Sequence, residues 1–452
     1  MIELPSCIKA YDIRGRVPED LDVGLAYRLG RSMAARIGGR TYCVGYDVRE
    51  SSLELKEAVC FGLNEGGIDV LDLGLCGTEQ TYHAVATQGL DGGIMITASH
   101  NPLGWNGMKL VRQGARPISG DTGLHEIGRL ADAGDFPEPD RVGTTTALDL
   151  GDDYRDFLLG FVNRDVLKPL KVVANAGNGC AGPALDRLLP HLPFEFTTVH
   201  HVPDGTFPNG IPNPLLPENR EATSVAVREH GADVGLAWDG DFDRCFFFDE
   251  TGAFIEGYYL VGLLARAALR NEPGGRIVHD PRLTWNTIEV VRAAGGRPVM
   301  NKTGHAFIKE RMRAEDAVYG GEMSAHHYFR DFSYCDSGMV PWLLVLQEMS
   351  ISGQPLSALV GDMQAAYPAS GEINRTIADA ASVLVEAERF WSLGAVSVDH
   401  TDGLSVEHGD WRFNLRCSNT EPLVRLNVES RGDVDLMKAR TEEILRWLDS
   451  RS

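Results

Sequence analysis

The sequence predicts an α/β protein: three related α/β domains with mixed, largely parallel sheets plus a smaller C-terminal α+β domain, around a central cleft. Three observations carry this. Apolar strand candidates alternate with helical periodicity, which implies parallel sheets joined by right-handed crossovers. The alternation restarts at Lys171 and again at Arg276, as a repeated unit does. Each series ends in a small polar motif, where open parallel sheets collect ligands.

The first series opens with a strand at Tyr42–Gly45, a helix around Leu53–Asn64 and a strand at Ile68–Leu73. After another helical stretch, the strand Ile94–Ile96 runs straight into TASHNP, residues 97–102. The second series places strands at Lys171–Ala174, Phe196–Val199 and Val234–Ala237, and ends in WDGDFDR, residues 238–244. The third places them at Arg276–His279, Pro298–Met300 and Ala317–Tyr319, and ends in GGEMSAHH, residues 320–327. The C-terminal segment breaks the pattern. Short alternating strands at Ala395–Val398, Leu404–Val406, Arg412–Leu415 and Val424–Val428 precede a helix at Val434–Leu448. Joints near Leu148–Asp153, after Glu250 and at Pro368–Gly371 predict domains over 1–150, 151–250, 251–368 and 369–452.

Length and charge narrow the function. A chain of 452 residues exceeds a single core. A net charge of −21 excludes an extended basic surface, and with it nucleic acid or an anionic membrane as partner. Any positive charge for an anionic ligand has to be gathered locally. The eight cysteines, at 7, 43, 60, 76, 180, 245, 335 and 417, include no CxxC pair, so they suggest neither a zinc site nor a redox motif. Such cysteines read as reduced and cytosolic. The opening MIELPSCIKAYDIRGR has no basic and apolar leader pattern, and the apolar run Tyr258–Ala265 is too short to span a bilayer. The expectation is a soluble, cytoplasmic protein; nothing in the sequence sets an oligomeric state.

Each motif has a structural and a chemical reading. Ser99 before His-Asn-Pro is as consistent with turn chemistry as with a nucleophile, and in extended chain His100 would point away from it. Asp239, Asp241 and Asp243 alternate, so extended backbone would put three carboxylates on one side. Carboxylates that close repel, and a divalent cation removes the penalty; oxygen-only ligands favour Mg²⁺ over a solvated acidic turn or a Ca²⁺ loop. Arg244 suits an anion beside that metal. In RCSNTEPLVR, Arg416 and Arg425 offer planar forks to a phosphate, and Ser418, Asn419 and Thr420 add neutral donors; a capped turn with surface arginines fits equally. GGEMSAHHYF mixes a carboxylate, a hydroxyl and imidazoles, which suits a polyhydroxylated ligand, with Tyr328 and Phe329 in the core. TGHAFIK, residues 303–309, reads as a helix start capped by Thr303, and KAYDIRG puts Tyr11 and Arg14 beside Gly15.

Taken together and in this order, TASHNP, DGDFDR, GEMSAH and RCSNTEP resemble the α-D-phosphohexomutase family along essentially the whole chain. The fuller strings KAYDIRG, DGDFDRC, GEMSAHHYFRD and RFNLR-SNTEP are most similar to its bacterial phosphomannomutase branch, which supplies GDP-mannose synthesis. The resemblance implies a phosphorylated Ser99 and Mg²⁺ held by the Ser99 phosphate with Asp239, Asp241 and Asp243. Tyr11, Arg14, His100, Lys109 and Arg244 match positions around the transferring phosphoryl group. Glu322, Ser324 and His326 match the sugar-binding loop, Arg416, Ser418, Asn419, Thr420 and Arg425 the site of the non-reacting phosphate, and Arg282, Thr303 and His305 substrate-side positions. It implies interconversion of mannose 6-phosphate and mannose 1-phosphate through a hexose 1,6-bisphosphate, which is also the activator. Phosphoglucomutase or dual specificity, and then phosphoglucosamine mutase, are the alternatives. Met323 favours mannose or glucose over glucosamine, whereas Ala325 departs from the glycine many members carry. An ordinary lysine pKa near ~10.4 makes Lys109 an acid or phosphate clamp unless desolvated, with His305 and His326 as other proton carriers. A phosphatase using an aspartate nucleophile and a non-enzymatic phosphosugar sensor are the competing classes.

Overall fold

The computed structural model describes residues 4–417 and 423–451. Two compact units divide the chain: one runs through Phe254 and adds Tyr328–Gly353, the other holds Ile255–His327 and the chain from Gln354 onward.

The first unit contains two sheets. In the first, Thr41–Tyr46 lies between the parallel strands Asp69–Leu75 and Gly92–Ile96, and Thr145–Ala147 pairs parallel beyond Asp69–Leu75. Gly92–Ile96 is buried along its whole length, as expected of a central strand covered on both faces. Its other neighbour, Trp105–Arg112, runs antiparallel, and Ile13–Arg16 closes that edge antiparallel again. Neither of these two strands is apparent in the sequence. Pro102 and Gly104 just before it, and Asn106, Gly107 and a central lysine within it, break the apolar signal of Trp105–Arg112, yet the strand is what carries Lys109, opposite Met95. The second sheet orders Glu195–Val199, Lys171–Asn175 and Val234–Trp238 in parallel, with Cys245–Phe248 returning antiparallel. The hairpin between the last two presents the acidic motif.

Helices Val23–Ile37 and Ser52–Glu65 pack against each other at backbone distance. A Cβ on Gly62 would stand 2.2 Å from the Tyr27 carbonyl oxygen. The core beneath includes Leu29, Met33, Val59, Leu63, Ile94 and Ile96, all close to fully buried.

The second unit also has two sheets. Arg276–His279 is flanked in parallel by Arg297–Met300 and Tyr319–Gly321. The C-terminal sheet is wholly antiparallel, in the order Ile373–Thr376, Leu423–Ser430, Trp411–Cys417, Leu404–Glu407, Ser397–Asp399. Its core of Trp391, Phe413, Leu415, Leu426, Ile444 and Leu448 is sealed by helices Ala380–Trp391 and Val434–Asp449. The predicted strand at Ala395–Val398 is shifted to Ser397–Asp399, at an exposed edge where alternation alone fixes register weakly. Among the described residues no helix is long and apolar enough to cross a membrane.

Two glycine substitutions should move stability in opposite directions. Gly62→Ala drives a methyl into a carbonyl across the helix pair and should cost on the order of 3 kcal/mol in urea unfolding. Gly361→Ala, in helix Leu356–Ala366 with no atom within 4 Å of its new Cβ, should stabilise by about 0.5–1 kcal/mol.

Candidate active site

Ser99 sits just past the Gly92–Ile96 strand, with φ of 49°. That left-handed conformation is uncommon for a residue with a Cβ and persists where surroundings over-determine it. The surroundings here are specific. Ser99 N donates to Thr97 Oγ1 at 2.8 Å. The buried guanidinium of Arg49 donates to four carbonyl oxygens of the following loop: Ser99 at 2.9 Å, Asn101 at 2.5 Å, and Pro102 and Trp105 at 3.0 Å each. Arg14 Nη1 adds bonds to the Ala98 carbonyl at 2.7 Å and Asn101 Oδ1 at 2.5 Å, while its Nε pairs with Asp12 at 3.0 Å. Tyr11 is half-buried in the same N-terminal loop.

The turn also corrects an expectation. His100 would point away from Ser99 in extended chain, but the left-handed backbone brings His100 Nδ1 to 3.1 Å from Ser99 Oγ. The acidic motif departs from extended geometry too. Residues 239–243 form a turn with Phe242 at φ 45°, and the three carboxylates converge because the chain curls around them. Ligand atoms of Asp239, Asp241 and Asp243 lie within 4.8 Å of one another. Ser99 Oγ donates to Asp239 Oδ2 at 2.8 Å. The two loops meet backbone to backbone: a Cβ on Gly240 would lie 2.6 Å from the Ser99 carbonyl oxygen.

Fixed cations surround the trio. Arg244 Nη2 and Nε reach Asp239 Oδ2 at 2.6 and 2.9 Å, Nη2 lies 3.4 Å from Ser99 Oγ, and the same nitrogen bonds His100 Nδ1. Lys109 Nζ bonds Asp241 Oδ2 at 2.7 Å and also bonds Asp243. Thr78 supports the loop from beside it, its hydroxyl donating to Asp241 Oδ2 at 2.5 Å and its amide to the Asp241 carbonyl at 3.1 Å. Burial raises the Asp239 carboxyl to about 6 even though Arg244 opposes the rise. Burial alone would lower the Lys109 pKa; Asp241 and Asp243 more than offset it, so the ammonium stays charged. A charged ammonium can donate hydrogen bonds to an anion but has no lone pair with which to take a proton.

The oxygen-only donor set fits a hard divalent cation. Asp241 Oδ1 is buried and accepts no hydrogen bond among the described residues, leaving one lone-pair direction of the cluster open for such an ion.

In the second unit the GEMSAH motif is built around Arg282. This guanidinium lies 2.8 Å from Asp280, 3.6 Å from Glu322 and 3.2 Å from Ser324 Oγ. Glu322 accepts from Gly304 N at 3.0 Å and lies 3.5 Å from His326 Nδ1, and the His305 and His326 rings are 6.4 Å apart. Tyr328 and Phe329 are buried, as expected. Ala325 takes φ of 69°, which explains what a glycine would offer at this position. Thr303 does not cap the helix His305–Glu315, whose N-cap is Gly304. Its hydroxyl bonds Asp402 instead, since Gly304 intervenes with φ of 117°. Arg416 and Arg425 face each other across neighbouring strands, 3.2 and 3.4 Å from Glu372, and Arg416 lies 3.4 Å from Thr303 Oγ1. Ser418, Asn419 and Thr420 lie outside the described residues.

Models of the four phosphoglucomutase/phosphomannomutase domains match this chain in order: α/β/α domain I over residues 6–138, domain II over 152–252, domain III over 256–367 and the C-terminal domain over 372–446. The chain belongs to the phosphoglucomutase/phosphomannomutase family. It is 60% identical to a phosphomannomutase of Salmonella montevideo, over 98% of this chain and 99% of that protein. It is 58% identical to a Xanthomonas campestris pv. campestris protein described as phosphohexose mutases, over 97% and 98% of the two chains. A crystal structure of a phosphoglucomutase/phosphomannomutase family protein from Burkholderia thailandensis superposes with a TM-score of 0.88 at 34% identity, covering 100% of this chain and 98% of that one.

Sequence reasoning missed Arg49, Thr78, Asp280, Glu372 and Asp402. The first had a usable signal: Asp47-x-Arg49 follows the carboxyl end of Thr41–Tyr46, the location that identified the other motifs. Arg49→Met should therefore lower turnover of hexose phosphate by about 100-fold with KM within a few-fold, as misplacement of a nucleophile by about 1 Å does. Steady-state kinetics on both variants checks this, and Arg49→Lys, which keeps the charge without the four-carbonyl reach, should recover little.

Proposed function

We propose that this chain interconverts mannose 6-phosphate and mannose 1-phosphate, with Ser99 Oγ as the atom that carries the phosphoryl group. The observation that supports this best is Ser99 Oγ held 2.8 Å from Asp239 Oδ2, inside a cluster of three carboxylates and flanked by Arg244. Asp239, Asp241 and Asp243 are the residues that would hold Mg²⁺. Bound there, the ion supplies Lewis-acid polarisation of the serine phosphate and charge balance for the trio.

In the forward step the O6 hydroxyl of mannose 1-phosphate attacks phosphorus in line. The bond from phosphorus to O6 forms as the bond to Ser99 Oγ breaks, giving mannose 1,6-bisphosphate. Ser99 Oγ leaves as an alkoxide stabilised by Arg244 Nη2, which His100 Nδ1 orients by accepting from it. Lys109 and Arg14 neutralise charge on the equatorial phosphoryl oxygens, the main work in a loose phosphoryl-transfer transition state. The proton lost from O6 passes to a sugar-side base, a role we assign to His326, whose Nδ1 lies 3.5 Å from Glu322. The bisphosphate then turns over so that its 1-phosphate meets Ser99, and the same steps run backwards.

On the sugar side, Glu322 and Ser324 accept and donate hydrogen bonds to ring hydroxyls, with Thr303 and His305 beside them. Arg282, Arg416 and Arg425 hold the phosphate that is not reacting, together with Ser418, Asn419 and Thr420. A hexose 1,6-bisphosphate is the activator that restores phosphate to Ser99. Delivery of mannose 1-phosphate to GDP-mannose synthesis and residence in the cytoplasm complete the proposal.

Intact-mass measurement tests the carrier role: treatment with hexose 1,6-bisphosphate should add one phosphate to the wild type and none to Ser99→Ala. Ser99→Ala should also lose turnover by about 10⁴-fold or more, as removal of a covalent carrier does. An aspartate-nucleophile phosphatase would instead tolerate the change. Chelation with EDTA should abolish turnover and Mg²⁺ restore it.

Substrate preference is tested separately by relative turnover of mannose, glucose and glucosamine 1-phosphates, with mannose expected highest; equal rates would refute the assignment. Ala325→Gly should relieve the left-handed strain of the sugar loop, by about 1 kcal/mol, and raise glucose turnover relative to mannose.

A further inference from the structure

Glu372 stands directly after the Pro368–Gly371 joint, and the backbone leading to it is pinned. Ser370 N donates to the Val428 carbonyl at 2.9 Å, Val428 N returns a bond to Ser370 Oγ at 2.9 Å, and Asn427 Nδ2 donates to the Gly371 carbonyl at 3.0 Å. From this fixed position the carboxylate reaches three guanidiniums: Arg416 at 3.2 Å, Arg282 at 3.4 Å and Arg425 at 3.4 Å. Arg416 and Arg425 are direct cross-strand partners, an arrangement that repels unless an anion lies between them. The side chain of Glu372 is only 18% exposed. Burial there would raise its pKa, but Arg282, Arg416 and Arg425 together pull it down to about 2, so it is ionised throughout the physiological range.

The arginines are not saturated by this one carboxylate. Arg416 Nε and Arg282 Nε are buried and donate to no partner among the described residues. The cluster thus has donors to spare for a second, larger anion, at the cost of placing that anion beside Glu372.

From these contacts we infer that Glu372 is a built-in surrogate for phosphate. It keeps Arg416 and Arg425 aligned between substrates, and it competes with the substrate's non-reacting phosphate for them. The inference rests on the mutase reading only for the identity of the anion as a hexose phosphate. Its consequence for turnover is concrete. A mutase that passes both ends of a bisphosphate through one site has to release each phosphate from these arginines once per cycle. A carboxylate that retakes the guanidiniums as the phosphate leaves keeps the ground state from being bound too tightly, and uniform tight binding adds nothing to turnover. Glu372 is a positioning residue, since it acts through the arginines.

The test measures phosphate affinity directly, with inorganic phosphate as the probe and calorimetry as the readout, alongside steady-state kinetics with mannose 1-phosphate. Glu372→Gln should tighten phosphate binding by about tenfold, the scale of one charge interaction in a partly buried site, and lower KM and kcat together. Glu372→Asp, which keeps the charge but withdraws it by one methylene, should fold like the wild type and tighten phosphate by a smaller factor. Arg416→Gln should weaken phosphate binding in either background. Unchanged or weaker phosphate binding in both Glu372 variants would overturn the inference and leave Glu372 a scaffold for the arginines. Tighter phosphate binding with no phosphate ever found on Ser99 would sink the mutase reading while this inference stood.

Discussion

The contact between Ser99 Oγ and Asp239 Oδ2 is the constraint on which the first unit depends. The two residues come from loops of different sheets, separated by 140 positions in the chain. To bring a short hydroxyl to a short carboxylate, the backbones themselves have to touch, and a bare Cα at Gly240 is what permits it. The rest of the local structure reads as support for this approach. Arg49 grips one loop by its carbonyls, while Thr78 and the amide of Cys180, which donates to the Gly240 carbonyl at 3.0 Å, hold the other. A side chain that spends a buried charge on four carbonyls contributes little net stability, because desolvation of a guanidinium offsets most of the gain. What it provides is position.

The electrostatics follow one scheme in both units. An excess of acid over the whole chain leaves the functional loops to concentrate positive charge locally. In the first unit Lys109 and Arg244 interleave with three aspartates; in the second Arg282, Arg416 and Arg425 enclose Glu372. As named, the first cluster has an excess of acid and the second an excess of base, and the ion pairs within each lower the cost of burial. Each also keeps unsatisfied atoms, Asp241 Oδ1 in one and Arg416 Nε in the other, of opposite kinds. The first is arranged to accept a cation and the second to donate to an anion.

Much of this was legible in the sequence. The parallel strands were, because buried central strands read as continuous apolar runs, and the motifs at their ends were located by topology alone. The antiparallel strands Ile13–Arg16 and Trp105–Arg112 were not, since an edge strand of four residues and a strand with a buried lysine at its centre lack any hydrophobic period. Strand Ile373–Thr376 escaped because Ile373 is its one apolar residue, so the alternation of its two faces between half-buried and exposed has no apolar–polar counterpart in the sequence. At the site, residues carrying chemistry on their own side chains were recognisable by type and order. Residues acting on another residue, Arg49 on a carbonyl array and Glu372 on a set of arginines, were not, because their partners are distant in sequence and their roles exist only once the chain is folded.

Where local rules failed, they failed at strained positions. Extended geometry was the natural assumption for TASHNP and for the acidic motif, and a cap was the natural role for Thr303. Ser99, Phe242 and Ala325 all occupy the left-handed region without being glycine, and Gly304 turns the chain away from the cap. Each such residue costs on the order of 1 kcal/mol or more relative to an unstrained turn. A loop free to relax would abandon these conformations, so their persistence in three separate functional loops means that tertiary contacts dictate them. The loop over residues 322–326 shows the logic most plainly. Its Ala325 amide bonds the Glu322 carbonyl and its Met323 amide bonds Asp280, so the turn is fixed at both sides of Ser324, and the hydroxyl is presented in one orientation. Strain of this kind is the structural counterpart of selectivity: a loop held by its neighbours against its own preference has less freedom to adapt to a ligand of different shape.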